Sequence, residues 1–170
     1  MNVMRNLRIA KITLNMGIGS PGDKMEKAKK LLQTISRQKP VSTKSNKRIP
    51  TWGVRPGLPL AVTVTIRGKK AEELLSRLLQ AEENELKTRK FDNYGNFAFG
   101  IPEYIDIAGV PYDPTIGVVG LEVAVTIERS GFRIKRRSMK AKKIPTRHRI
   151  TKEESIQFIK NKFGVKMEEE

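Results

Sequence analysis

The sequence has no cysteine and a single histidine, His148. Disulfides, thiolate nucleophiles and cysteine-based zinc sites are therefore excluded, and most other metal sites and histidine-centred triads go with them. No cofactor and no metal is expected. Long hydrophobic runs are missing too: the most apolar stretch, Gly117 to Ile127, is interrupted by Glu122 and is too short to span a bilayer. With no recognisable secretory leader, the expectation is a soluble cytoplasmic protein with no membrane partner. Acidic residues are scarce, 18 Asp and Glu against 34 Lys and Arg, which leaves a net charge of +16 on 170 residues. An imbalance of that size points to a polyanionic partner, nucleic acid before any other.

The positive charge is concentrated around one stretch, Gln38 to Arg67. Between Arg37 and Arg48 lie five cations (Arg37, Lys39, Lys44, Lys47, Arg48) and no carboxylate, so this segment must face water or a polyanion. A loop rich in proline and glycine follows, Ile49 to Pro59, carrying Arg55 and the only tryptophan, Trp52. Two readings of Trp52 stand side by side. Its π-face is a platform for a nucleobase with Arg55 adding planar stacking, or the ring folds back as a lid on the core.

Periodicity supplies the frame. Leu7 to Met16 alternates, with Ile12, Leu14 and Met16 on one face and Lys11, Thr13 and Asn15 on the other. Asp23 with Glu26 suggests a capping box for a helix running to about Arg37, striped by Met25, Ala28, Leu31, Leu32 and Ile35. Pro40 to Arg48 reads as a weak polar strand, and Leu60 to Ile66 as a firm one with Thr63 and Thr65 facing outward. Ala71, Leu74, Leu75, Leu78 and Leu79 mark the clearest helix. Phe97 to Ile101 is a short strand, Pro102 to Gly117 a long irregular stretch, and Val119 to Ile127 the longest strand, turning at Ser130–Gly131 into a returning strand, Phe132 to Arg137. Thr151 with Glu154 makes a second capping box, Ile156, Ile159 and Phe163 stripe the last helix, and Gly164 stops it. The fold class that follows is α+β: one domain over residues 1–170, a mostly antiparallel sheet with helices on one face and the other face open for RNA, and a short disordered acidic tail over about 166–170.

Several motifs carry chemistry only on paper. Gly17, Gly19 and Gly22 satisfy G-x-G-x-x-G between a strand and a helix, but the acidic ribose partner about twenty residues on is replaced by Thr43, Lys44 and Ser45. A Walker reading fails because Asp23 would repel phosphate and Met25 stands where magnesium needs a hydroxyl. The pairs Glu72/Glu73, Glu82/Glu83 and Glu153/Glu154 are neighbours on helices, so they diverge and share no cleft with a base. From Arg129 to Arg149 run ten cations with no acid among them. Arg133, Lys135, Arg136, Arg137, Lys142, Lys143, Arg147 and Arg149 read as contacts to an RNA phosphate backbone. His148, flanked by arginines, reads as a phosphate contact or a neutral surface side chain.

Six separate segments, in order, resemble one family. ITLNMGIGS (Ile12 to Ser20), QKPVSTKSNKRI, the RPGLP loop followed by VTVTIRG, FGIPE, YDPTIGVVGLEV and IPTRHRIT are similar to the L-five family of large-subunit ribosomal proteins, which bind 5S rRNA, and the basic IPTRHR segment resembles the archaeal form. The resemblance covers about residues 5 to 163. It implies a non-enzymatic constituent of a ribonucleoprotein, the large ribosomal subunit, acting in translation. Its sheet face would hold 5S rRNA through Asn15, Gln38, Trp52 and Thr65, joined by the basic Lys44, Lys47 and Arg48. The Ile49 to Pro59 loop, with Thr51, Gly53, Arg55 and Gly57, would face the peptidyl-site tRNA. The stretch from Tyr104 to Gly117 would touch a small-subunit head protein, and large-subunit rRNA and another 5S-associated ribosomal protein would be further partners. Trp52 replaces the phenylalanine usual in bacterial relatives. Two alternatives remain: a general basic nucleic-acid-binding protein, and a nucleotide-binding enzyme built on Gly17 to Gly22.

Overall fold

The computed structural model describes residues 2–114 and 116–168. Its elements are β1 (Leu7–Gly17), α1 (Asp23–Ser36), β2 (Val41–Lys44), β3 (Pro59–Ile66), α2 (Lys69–Ala81), β4 (Glu85–Lys87), β5 (Phe97–Ile101), β6 (Leu121–Arg129), α3 (Arg133–Arg136), α4 (Lys152–Phe163) and β7 (Lys166–Glu168). Five strands make a mostly antiparallel sheet in the order β2-β3-β1-β6-β5, and β4 pairs with β7 in parallel. The class is α+β. The chain folds into two compact units of interleaved segments: one takes residues up to Ile12, Arg67–Phe99 and the chain from Ala124 onward, the other Thr13–Ile66 and Gly100–Val123.

In the second unit, strand alternation and the helical stripe meet as predicted. Leu14, Met16, Val62, Val64 and Ile66 are buried, as are Met25, Ala28, Leu31, Leu32 and Ile35 on α1, which packs against β3. Each of the larger of these side chains contributes about 1.5–3 kcal/mol by leaving water. The opposite parity, Thr13, Asn15, Ala61, Thr63 and Thr65, stays half-exposed. The cap of α1 differs from expectation. Gly22 is the N-cap, with φ 132°, and offers no side chain; Asp23 is the first helical residue, and Glu26 reaches Lys29 at 2.6 Å rather than back along the chain. Both acids still lie in the first turn, where they complement the helix dipole.

The first unit is organised by α2, α4 and an aromatic ladder. Ala71, Leu74, Leu75, Leu78 and Leu79 are all buried, and Phe91, Phe97 and Phe99 stack with centroids 4.8 and 6.2 Å apart. The capping box at Thr151 forms as read: the Thr151 hydroxyl accepts from the Glu154 N–H, and the Glu154 carboxylate accepts from the Thr151 N–H. Two expectations fail here. Instead of a returning strand after β6 there is a turn and the one-turn helix α3, because in the sheet β6 already has β1 on one side and β5 on the other, leaving no edge for a hairpin partner. Nor is the chain from 166 a disordered tail. Buried Val165 anchors it and Lys166–Glu168 forms β7 against β4, with the Lys166 N–H donating to the Asn84 carbonyl at 2.8 Å; Glu169 and Glu170 lie outside the described residues. The longest strand is β1, with 11 residues, ahead of β6 with 9.

Glu154 does more than cap. Its Oε1 accepts from the Arg129 guanidinium at 2.6 Å while Oε2 serves the cap, and the Arg129 side chain is only 6% exposed. Removing the carboxylate would strand a buried cation and open the first turn of α4 together. Glu154→Ala is expected to lower the unfolding free energy by about 3 kcal/mol, the lower end for a broken buried pair because Glu154 itself is half open to water. Glu154→Gln, which keeps an acceptor, should lose clearly less; the two are compared by urea unfolding.

Candidate nucleic-acid interface

The loop between β2 and β3 is a small built structure. The two strands pair antiparallel with Val41 opposite Thr63 and Thr43 opposite Ala61, and the register shifts between Thr43 and Lys44. Beyond the shift the chain stays tied: the Ser45 N–H donates to the Leu58 carbonyl and the Gly57 N–H to the Ser45 carbonyl, both at 2.8 Å. Farther out Ile49 and Val54 exchange N–H to carbonyl bonds at 2.9 and 3.0 Å, and the buried Val54 side chain pins the excursion. At its tip a 3-10 turn, Pro50–Trp52, closes on Gly53 at φ 63°, a left-handed position where a side chain would strain the turn. Trp52 sits on that tip, 77% exposed. It is not a lid on the core. Thr51, Gly53, Arg55 and Gly57 are exposed around it, and Lys44, Lys47 and Arg48 stand exposed on the approach with no carboxylate partner among the described residues.

On the outward parity of the sheet, Thr65 is half-exposed on β3, and the neighbouring Thr63 and Thr43 hydroxyls lie 3.4 Å apart. Gln38, half-exposed, follows α1; its backbone N–H and carbonyl both bond the Ser36 hydroxyl. Asn15 is already engaged: its Nδ2 donates to Glu122 Oε2 at 2.8 Å. That fixes the amide so that Oδ1 points away as an acceptor, and it sets a carboxylate on this face, able to accept from a base N–H and unfavourable to phosphate. The outward placement of Glu122 is readable from the alternation of β6, where it falls opposite the buried Leu121 and Val123, but its pairing with Asn15 is not. The glycine loop is no phosphate cradle, since the Ile18 and Gly19 N–H groups both donate to the Leu60 carbonyl at 3.0 Å.

In the other unit the basic segment is neither strand nor free coil. Arg133, Lys135, Arg136 and Arg137 are exposed on and just after α3, and Lys142, Lys143, Arg147 and Arg149 are exposed beyond it. Two of these cations are held in place: Arg136 pairs with Glu128, which also accepts from Arg8 at 2.7 Å, and Arg137 Nε donates to the Lys140 carbonyl at 2.9 Å. The segment is pinned by buried Ile144 and Ile150. His148 is turned inward: its Nε2 donates to the Ser130 carbonyl at 2.9 Å and its ring lies against Phe132. The carbonyl only accepts, so Nε2 carries a proton in this contact. The irregular stretch before β6 hangs on Tyr104, fully buried, whose hydroxyl accepts from the Asp113 N–H at 3.1 Å; Ile105, Tyr112 and Val118 are exposed around it, and Thr115 lies outside the described residues. No helix among the described residues is long and apolar enough to cross a membrane.

The chain matches two family descriptions: ribosomal protein L5 over residues 2–55, and the C-terminal part of the same ribosomal family over residues 59–158. It is 47% identical over 168 residues to the large ribosomal subunit protein uL5 of Methanosphaera stadtmanae, covering 99% of this chain and 100% of that one. It is 48% identical to the uL5 proteins of Nanoarchaeum equitans and Sulfurisphaera tokodaii, in each case over 96% of this chain and 97% and 93% of theirs.

With Trp52 in water and the loop held by backbone bonds and Val54, truncating the ring should hardly change stability. Trp52→Ala is expected to shift the unfolding free energy by no more than about 0.5 kcal/mol. Wild-type fluorescence should show the red-shifted, readily quenched emission of a solvated indole; blue-shifted emission shielded from quencher would refute the exposed placement.

Proposed function

The chain belongs to the ribosomal protein L5 family, and on that premise we propose that it is a non-enzymatic constituent of the large ribosomal subunit in the cytoplasm that binds 5S rRNA. The observation that carries this reading is Trp52 held exposed on a rigid, cation-flanked loop, with an outward sheet parity of Thr, Asn and Lys beside it in the same unit. A water-exposed indole on a fixed backbone support has its apolar face uncovered and its main chain ordered before binding, which favours stacking on an unpaired base. Lys44, Lys47 and Arg48 would meet phosphates; Asn15, Gln38 and Thr65 would meet base and ribose edges. The loop from Ile49 to Pro59 would face the peptidyl-site tRNA, the exposed Ile105, Tyr112 and Val118 would suit a protein of the small-subunit head, and large-subunit rRNA and a second 5S-associated protein would complete the surroundings.

Charge alone would permit indiscriminate binding to nucleic acid, so the test is specificity against salt. Binding to 5S rRNA should exceed binding to unrelated RNA and duplex DNA, and the preference should persist as salt rises, since non-specific binding rests on counterion release. Equal affinities for all three would sink the proposal. Lys44→Ala or Arg48→Ala should weaken every RNA and make the salt slope shallower by about one unit each. Asn15→Ala or Thr65→Ala should instead reduce the preference for 5S rRNA at nearly constant slope. Trp52→Ala should cost roughly tenfold or more in affinity, within the about 1–3 kcal/mol of a stacked base, while Trp52→Phe retains most of it.

A further inference from the structure

Within the first unit, the outward faces of β1 and β6 and the 130–150 segment enclose a cleft of about 710 Å³. Six cations line it, Lys11, Lys135, Arg136, Lys142, Lys143 and Arg149, against one carboxylate, Glu128. That carboxylate is already bracketed by Arg8 and Arg136 and its side chain is only 7% exposed, so it does little to offset the positive field. A bare anion would need no such volume, which falls in the range of sites for whole small molecules.

The far wall is aromatic and rigid. Tyr94 lines the cleft and is 61% exposed, on a turn fixed by its own hydrogen bonds. Asp92 Oδ1 accepts from the N–H groups of both Tyr94 and Asn96, at 2.8 and 2.7 Å, and Asp92 Oδ2 accepts from Asn96 Nδ2 at 2.8 Å. Gly95, at φ 79°, lets the turn press onto the chain behind it: an added Cβ would meet Ile150 Cγ2 at 2.7 Å, and the Ser155 hydroxyl donates to the Gly95 carbonyl at 2.6 Å. The backbone that carries the phenol is thereby ordered before anything binds, which leaves only side-chain rotamers to settle, and Asn96 beside it on the cleft wall has an Oδ1 acceptor that can meet a base-edge N–H.

Cations for a phosphate, a fixed ring for a base and a polar acceptor beside it are the parts of a single-nucleotide site. We propose that this cleft takes one nucleoside monophosphate unit, supplied by an unpaired residue of the 5S rRNA, with its base on Tyr94 and its phosphate among Lys135, Lys142, Lys143 and Arg149. The proposal rests on the RNA-binding reading above and adds to it a place, a ring and a stoichiometry of one base.

The test uses the full chain with 5S rRNA, comparing wild type, Tyr94→Phe and Tyr94→Ala by affinity and by chemical probing of every unpaired nucleotide. Tyr94→Ala should weaken binding about tenfold, and one nucleotide protected by wild type should become reactive while the rest of the footprint persists; Tyr94→Phe should keep both. Photocrosslinking from p-azidophenylalanine at position 94 should map to that same nucleotide. If Tyr94→Ala keeps wild-type affinity and an unchanged footprint, the cleft proposal is overturned while 5S rRNA binding stands. If wild type shows no preference for 5S rRNA, it is the functional reading itself that falls. AMP, GMP, CMP and UMP, added singly, separate the two sources of the ligand: saturable binding of one of them lost in Tyr94→Ala, with the 5S rRNA footprint unaltered by that change, would overturn RNA as the source.

Discussion

The scarcity of carboxylates governs how this protein presents its charge. With 18 acids for 34 cations, those that form ion pairs among the described residues largely pair within the first unit: Glu128 with Arg8 and Arg136, Glu154 with Arg129, Glu72 with Lys162, Glu82 with Lys90, Glu85 with Lys166. Most of these pairs are half-exposed and individually weak. Their collective effect is positional. They draw acids toward structural cations and leave the stretches 37–48 and 137–149 without any, so the positive potential accumulates where the backbone is irregular and accessible rather than averaging over the surface.

Alternation and helical stripes survive from sequence to structure because burial enforces them. A one-residue slip of β1 would drive Lys11, Thr13 and Asn15 into the place of Ile12, Leu14 and Met16, all fully buried, and no local preference could offset that. For the same reason the outward placement of Asn15 and Thr65 was legible from parity alone. Capping was legible only where the neighbours cooperate. Thr151 and Glu154 form their box because Glu154 is drawn to that place by Arg129 as well, whereas Glu26 has Lys29 one turn on and Asp23 is displaced by the glycine before it.

What escaped the sequence was set by sheet topology and long-range pairing. The alternation of Phe132 and Ile134 with basic residues resembles a strand, but a strand needs an edge, and the position of β6 between β1 and β5 is a property of the whole chain. The short strands β4 and β7 pair Glu85 with Lys166 across 81 residues of sequence, and neither is long enough for periodicity to register. Glu122 on Asn15, and Tyr94 on its Asp92-bonded turn, are likewise legible as residue types but not as neighbours of the site until the chain is folded.

The two basic regions share a design that charge counting does not reveal. Segments this rich in unopposed cations would ordinarily stay disordered, since like charges repel and little apolar surface is available to hold them. Here each is fastened by apolar anchors and backbone bonds that owe nothing to charge: Val54 with the Ile49–Val54 bridge in one, Ile144 and Ile150 with the His148–Ser130 hydrogen bond in the other. Much of the backbone ordering entropy is therefore overcome during folding, and only the side chains of these segments remain to be ordered by a polyanion that arrives. Rigid placement also limits adaptation. Cations whose backbone is held at set spacings can discriminate among phosphate arrangements as a flexible basic tail cannot, so the anchors that order these segments are also what would make selectivity among polyanions physically attainable.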